Sequence, residues 1–197
     1  MKSLIKLIAV LVAMTALVFL GGCEKQTPFE SDSSKQTLDP QQDQIRFISF
    51  GGNSSFEKTT TVSKWIARKS GGNLYLTHQG DSGLVCAVIL QILPGTISED
   101  AQVSISIDDE QFIGNLDVEF KPHGITFSQP AILNIKAYGL DLSGFDPNSI
   151  DIYYDNPDTG QWELMPRDDI YVNVSLGLVR VTNARIPHFS RYAIGAE

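Results

Sequence analysis

Apolar and polar residues alternate with a period of two along most of the chain after residue 44. Val103, Ile105 and Ile107 alternate with polar residues, and Leu74 and Leu76 show the same pattern earlier. Such alternation is typical of strands that bury one face, and no window shows a sustained helical period. Glycine, proline, asparagine and aspartate separate the segments and favour turns. The pattern predicts an all-β fold, a single antiparallel β-sandwich or flattened barrel.

Three segments carry the more detailed predictions. Residues 84–93 are apolar at every position except Gln91, and a proline turn follows them. A continuous apolar run of this kind predicts a strand covered on both faces. Residues 150–154 and 161–164 flank a turn-forming stretch and predict a hairpin. Residues 186–194 are predicted to form the last strand, which closes the sandwich. Nine positions are predicted to lie in the core: Leu84, Val88, Leu90, Ile92, Leu133, Ile135, Ile152, Trp162 and Val181.

The first 23 residues carry a second kind of pattern. A short basic start is followed by an apolar run, residues 7–19, interrupted only by Thr15. The run is shorter than the roughly 20 residues of a membrane-spanning helix and is typical of a secretory signal peptide. Residues 20–23, Leu-Gly-Gly-Cys, resemble the lipobox of bacterial lipoproteins. The alternative is an ordinary signal peptide with a chance cysteine.

The lipobox resemblance implies where the protein sits. It implies that residues 1–22 are removed as a lipoprotein signal peptide and that Cys23 is acylated, which anchors the chain in the membrane of the bacterial cell envelope. Glu24 follows, where the resemblance to inner-membrane retention signals would require aspartate, so an outer-membrane location is favoured.

Residues 23–44 are predicted to be the lipidated cysteine and a disordered tether. Phe29 and Leu38 are the only sizeable apolar side chains among residues 24–44, too few to offset the entropy of ordering. A coil of this length spans about 25 Å root-mean-square. The β-sandwich domain is predicted to occupy residues 45–197.

Charge and cysteine content narrow the function classes. Without the two lysines of residues 1–22, thirteen basic residues remain against twenty-three acidic ones, a net charge of −10. An acidic chain without a basic cluster argues against nucleic acid as a partner and against docking on anionic lipid. Cys86 lies in an apolar run typical of a buried thiol, so no disulfide with Cys23 is expected.

No metal or cofactor is expected. His78, His123 and His188 stand alone, without the spacing of paired metal ligands, although a zinc site assembled in three dimensions is the alternative. Residues 155–160 do not fit an EF-hand, because Pro157 occupies a ligand position, and a hairpin turn explains them. A weak cation site among predicted loop aspartates is left open: Asp141, Asp146, Asp168 and Asp169.

Catalysis on an external substrate is not expected either. The chain lacks a G-x-S-x-G nucleophile elbow, and Ser190 near His188 lacks a third orienting group in the sequence. Four aromatic residues are candidates for a carbohydrate-binding face, with core or cross-strand packing as the alternative: Trp65, Tyr75, Tyr154 and Trp162.

Several segments together resemble the ZU-five domain, shared by zonula occludens proteins, netrin receptors and ankyrins. Residues 71–74 resemble its glycine pair, residues 88–97 its strand end, and residues 121–130 its Gly-Pro-His-Gly segment. Residues 153–162 and 187–192 continue the likeness in order, so it covers residues 60–195. Leu93 and Thr96 depart from the family pattern, where Pro and Ala are usual. The resemblance implies an antiparallel β-sandwich that serves as an interaction or structural module.

The resemblance also implies one internal reaction. His188-Phe189-Ser190 matches the residues at which some animal ZU-five domains cleave themselves. Ser190 would then be the nucleophile that attacks the carbonyl of Phe189 in an N→O acyl shift, with His188 as base. An ordinary structural strand is the alternative.

The expected function is therefore that of a membrane-anchored envelope lipoprotein whose non-enzymatic β-sandwich binds a protein or glycan or serves a structural role. A self-cleaving domain and a glycan- or matrix-binding module are the alternatives.

Overall fold

The structure, a computed structural model, describes residues 45–50, 59–80, 83–107 and 117–197. The predicted signal peptide, Cys23 and the tether lie outside the described residues. The described residues form twelve strands and one short 3-10 helix, Val174–Leu176. The strands are β1 (Arg46–Phe47), β2 (Thr60–Ile66), β3 (Gly72–Gly80), β4 (Gly83–Ile92), β5 (Ala101–Ile107), β6 (Asp117–Lys121), β7 (Thr126–Ala137), β8 (Ile150–Asn156), β9 (Gln161–Leu164), β10 (Asp169–Asn173), β11 (Leu178–His188) and β12 (Arg191–Ala196).

The strands form two antiparallel sheets, which confirms the predicted β-sandwich. The larger sheet has the order β2-β5-β6-β12-β8-β9, with β1 also paired to β12. The smaller sheet has the order β10-β11-β7-β4-β3. Alternation along β5 buries Val103, Ile105 and Ile107 and turns Gln102 outward, as expected of a strand with one core face. Among the described residues, no helix is long and apolar enough to cross a membrane.

The core lies between the inner faces of the two sheets, and most predicted core positions are confirmed. Seven of them are at most 2% exposed: Val88, Leu90, Ile92, Leu133, Ile135, Ile152 and Val181. The side chain of Leu84 lies outside the described residues. The prediction for Trp162 was wrong, because the register of β9 places Trp162 opposite Asp155 on the outer face, where it is half-buried against Phe47.

The prediction that residues 84–93 are covered on both faces was also wrong. Strand β4 buries Cys86, Val88 and Leu90 but leaves Ile89 38% exposed, since the sandwich has two layers and the outer face of this sheet meets solvent. Cys86 is free and buried, and burial raises the pKa of its thiol to about 12.

The predicted closing strand proved to be two strands in different sheets. Strand β11 ends at His188 in the smaller sheet, and β12 begins at Arg191 between β6 and β8 of the larger sheet. Phe189 and Ser190 form the bend between them. Phe189 is only 1% exposed and packs edge-on against Phe127 at 4.8 Å, so burial of this ring holds the crossing.

The predicted turn at residues 155–160 is confirmed, and one loop assignment was wrong. Asn156 and Gly160 close the β8–β9 hairpin, where the Gly160 amide donates to the Asn156 carbonyl at 2.8 Å. Residues 122–124 turn the chain after β6, with Gly124 at φ +81°. Asp169 was predicted to lie in a loop, but it is the first residue of β10 and pairs with Thr182. The strand forms because this segment pairs with β11, which is not visible in its local sequence.

Candidate functional site

The outer face of the larger sheet carries a groove between β2, β5 and the turn after β6. Its volume is about 520 Å³. The groove is open to solvent along the sheet surface. Six residues line it: Ser63, Gln102, Ser104, Lys121, Pro122 and His123.

Cross-strand register explains why these residues meet. Ser63 of β2 lies opposite Ser104 of β5, and Ser104 lies opposite Lys121 of β6, so the three form one row across the sheet. Side chains in such a row share a face. Two short serine side chains beside a long lysine leave a depression, and the turn at Pro122 and His123 forms its far side.

Trp65 flanks the groove on the side of β2. It lies directly opposite Gln102, one of the lining residues, and is 63% exposed. No other described aromatic or cationic side chain stacks on its ring. A flat apolar surface is therefore held in water beside a polar groove.

Glu119 holds the basic side of the groove. Its carboxylate lies 3.1 Å from the Lys121 Nζ and 3.2 Å from the His123 Nε2. Glu119 is next to Lys121 on the outer face of β6, two residues earlier. The carboxylate offsets the lysine charge, so the groove presents hydrogen-bonding groups without a strong net charge.

The small polar side chains of the groove have unused hydrogen-bonding capacity. Within the part of the chain that the structure describes, the hydroxyls of Ser63 and Ser104 and the amide of Gln102 make no hydrogen bond to protein groups. Each hydroxyl offers one donor and two acceptors, and the amide offers two donors and an acceptor. The groove is thus equipped to bond a polar ligand.

The second candidate region is the bend at Phe189 and Ser190. The Ser190 hydroxyl donates to the Asp155 carbonyl oxygen at 2.6 Å. The His188 Nδ1 lies 3.5 Å from the Phe189 carbonyl oxygen, and the His188 ring meets Tyr154 edge-on at 5.4 Å between centroids. The three predicted residues are adjacent, but the hydroxyl is bonded to a carbonyl and not to the imidazole. Self-cleavage stays the alternative to a purely structural strand.

Neighbouring contacts hold this bend to the larger sheet. Arg191 Nη2 lies 2.9 Å from the Asp155 Oδ2, and the Tyr192 hydroxyl donates to the His188 carbonyl at 2.6 Å. Asp155 therefore receives both the Ser190 hydroxyl and the Arg191 guanidinium. These contacts give Ser190, Arg191 and Tyr192 a structural role at the bend between the two sheets.

The remaining candidate residues have structural partners. The His78 Nδ1 lies 2.8 Å from the Thr60 hydroxyl, and no group of three or more potential metal ligands occurs among the described residues. Asp141 accepts from Ser143, and these hydrogen bonds lower the pKa of its carboxyl. Hydrogen bonds from Asn183 and from the Arg185 guanidinium lower the pKa of Asp168.

The four candidate aromatic residues do not form one face. Trp65 and Trp162 lie at opposite edges of the larger sheet, while Tyr75, 59% exposed, is on the outer face of the smaller sheet. The Tyr154 ring stacks on Tyr192, and its hydroxyl donates to Glu163 at 2.6 Å. Burial chiefly raises the pKa of Tyr154 to about 12, and the hydrogen bond lowers the pKa of Glu163.

Sequence reasoning missed the lining residues of the groove. The available signal was the outward row of small polar side chains in β2 and β5 beside Trp65, but pairing of these strands could not be read from either one.

Comparisons with models of protein families, with curated proteins and with solved structures find no match for this chain. The resemblance to ZU-five domains therefore rests on the residues quoted for it.

Proposed function

We propose that this chain is a membrane-anchored lipoprotein of the bacterial cell envelope that presents a ZU-five-like β-sandwich as a non-enzymatic binding module. The partner is bound at the groove on the outer face of the larger sheet. The observation that carries the proposal is the pairing of an indole, 63% exposed at Trp65, with a concave surface of free hydrogen-bonding side chains.

The chemistry of the groove supports binding rather than catalysis. A nucleophilic serine needs a base within hydrogen-bonding reach. In the described residues neither Ser63 nor Ser104 is hydrogen-bonded to His123, which is directed to Glu119 at 3.2 Å. The groove therefore offers recognition groups without an activated nucleophile.

The anchor and tether support a role at the membrane surface. Acyl chains at Cys23 would give stable membrane attachment where a single chain gives marginal binding. A tether of residues 24–44, which as a coil spans about 25 Å root-mean-square, would keep the domain near the membrane. A module so placed samples partners within the envelope.

Metabolic labelling tests the anchor. We expect labelled palmitate in the wild-type protein and none in Cys23→Ala, because acylation requires the thiol. A Cys86→Ala variant serves as the matched control and should keep its label, since that thiol is buried in the core. Equal labelling of wild type and Cys23→Ala would contradict the proposal.

Site-specific photo-crosslinking in intact cells tests the groove. A photo-reactive residue substituted for Ser104 should give a crosslinked species of higher mass. The same substitution at Asp158, exposed in the β8–β9 turn of the same sheet, is the control and should give none. Identical patterns at the two positions would show that this groove is not the binding surface.

A further inference from the structure

We propose that the groove binds carbohydrate, with a pyranose ring stacked on the indole of Trp65 and its hydroxyls bonded by Ser63, Gln102 and Ser104. This inference rests on the proposed function, because it assigns the ligand class of the same groove. It follows from the distribution of apolar and polar groups in the groove.

The indole supplies the apolar part of the site. A pyranose ring has a face of C–H groups and a rim of hydroxyls. A flat aromatic side chain buries such a face at little entropic cost, since it has two side-chain torsions. Trp65 is held opposite Gln102 in the register of β2 and β5, so its position beside the groove is set by the sheet.

The groove supplies partners for the hydroxyl rim. Ser63 lies two residues before Trp65 on the same face of β2, and Gln102 lies opposite Trp65 on β5. Ser104 lies opposite Ser63 on β5. Successive outward residues of a strand are about 6.8 Å apart, so these groups are spaced over more than one sugar ring. Hydroxyls and amides both donate and accept, as sugar hydroxyls do. The side chains therefore match a short oligosaccharide.

Charge and shape favour this ligand over a peptide. Lys121 and His123 are both held by Glu119, which leaves no strong net charge for an acidic or basic peptide. Peptide and protein partners gain most of their affinity from side chains buried in apolar pockets. Most of the accessible surface of the lining is carbon, but the groove is open and forms no closed pocket for a large apolar side chain. A neutral saccharide fits both observations.

The two tryptophans of the chain make a direct test possible. Indole N–H signals of the full-length, detergent-solubilised protein are followed by NMR during titration. The probes are maltotriose and the N-acetylglucosamine trimer. Comparing them shows whether the natural ligand is a glucan or an amino-sugar polymer. At about 10 mM probe, a dissociation constant near 1 mM is detected. We expect one probe to shift the Trp65 signal and leave that of Trp162, which packs against Phe47, unchanged.

Calorimetric titration of variants gives the second readout, because Trp65→Ala removes the indole signal that NMR follows. Trp65→Ala should weaken binding at least about tenfold, as expected of an aromatic anchor. Ser104→Ala removes the hydroxyl with little change in side-chain volume and should weaken binding less. Tyr75→Ala is the matched control, because Tyr75 is similarly exposed on the other sheet and should leave affinity unchanged.

The outcomes separate the two proposals. No shift with either probe, equal shifts of both indoles, or unchanged affinity in Trp65→Ala overturns the carbohydrate assignment. If a protease-sensitive partner then crosslinks at Ser104 and not at Asp158, the ligand is a protein and the binding-module function stands. If neither a saccharide nor a crosslink is found, both proposals fail.

Discussion

The clearest stability prediction compares two neighbouring residues of β4. Leu90 is fully buried and lies between Leu74 and Leu133 of the flanking strands, which are themselves at most 1% exposed. Ile89 points to the outer face of the same strand and is 38% exposed. The two side chains are of similar size, so they differ mainly in the face they occupy.

The cost of truncation follows from that difference. Leu90→Ala removes buried methyl groups from a strand paired on both sides, where the backbone cannot close the cavity, and should cost about 2–5 kcal/mol of unfolding free energy. Ile89→Ala leaves no closed cavity, because solvent fills the space, and should cost about 1 kcal/mol or less.

Urea unfolding of both variants, followed by far-UV circular dichroism, measures the two free energies. We expect the slope of free energy against urea to stay at its wild-type value, so that the midpoint reports stability. Equal large losses for both variants would mean that the outer face of β4 is covered, and a two-layer sandwich would be refuted.

Three further predictions concern other parts of the sandwich. Denaturing intact-mass spectrometry should show no loss of residues 190–197, because the Ser190 hydroxyl is bonded to a carbonyl; their loss in wild type but not in Ser190→Ala would establish self-cleavage. In a Cys23→Ala background, a thiol reagent should label Cys86 only on unfolding. Burial raises the pKa of that thiol from 9.0 to about 12, so the folded state favours the protonated thiol. The stability that Cys86 contributes is therefore present below pH 9 and lost as pH rises toward 12. If the stability difference between wild type and Cys86→Ala did not change over this pH range, the reasoning would be contradicted. Gly195→Ala should displace β1, whose backbone a new Cβ would approach to 2.9 Å, and cost about 1–3 kcal/mol in thermal unfolding, whereas unchanged stability would show that β1 adjusts freely.

The amino-acid sequence by itself determined the class of fold. Alternation of apolar and polar residues is a local property of each strand, so segments of β3 and β5 and the β8–β9 hairpin could be predicted from it. Four confirmed core positions followed from the same alternation, namely Leu133, Ile135, Ile152 and Val181, and the other three came from the apolar run of β4.

The sheet that a strand joins and the face on which a side chain lies depend on pairing between distant strands, so the local pattern could not predict them. Residues 186–194 read as one strand, because nothing in their sequence marks which sheet each half joins; the crossing at Phe189 is decided by burial of its ring against Phe127. Trp162 was placed in the core for the same reason, since its face depends on the register of β9 against Asp155.

The groove was decided by tertiary structure alone. Ser63, Gln102 and Lys121 are separated by up to 58 positions in the chain and meet only through the registers β2–β5 and β5–β6. A shift of one residue in either pairing would turn these side chains to the core face. Burial of the alternate residues on the inner face, Val103 and Ile105 among them, selects the register and so brings the polar side chains together beside Trp65.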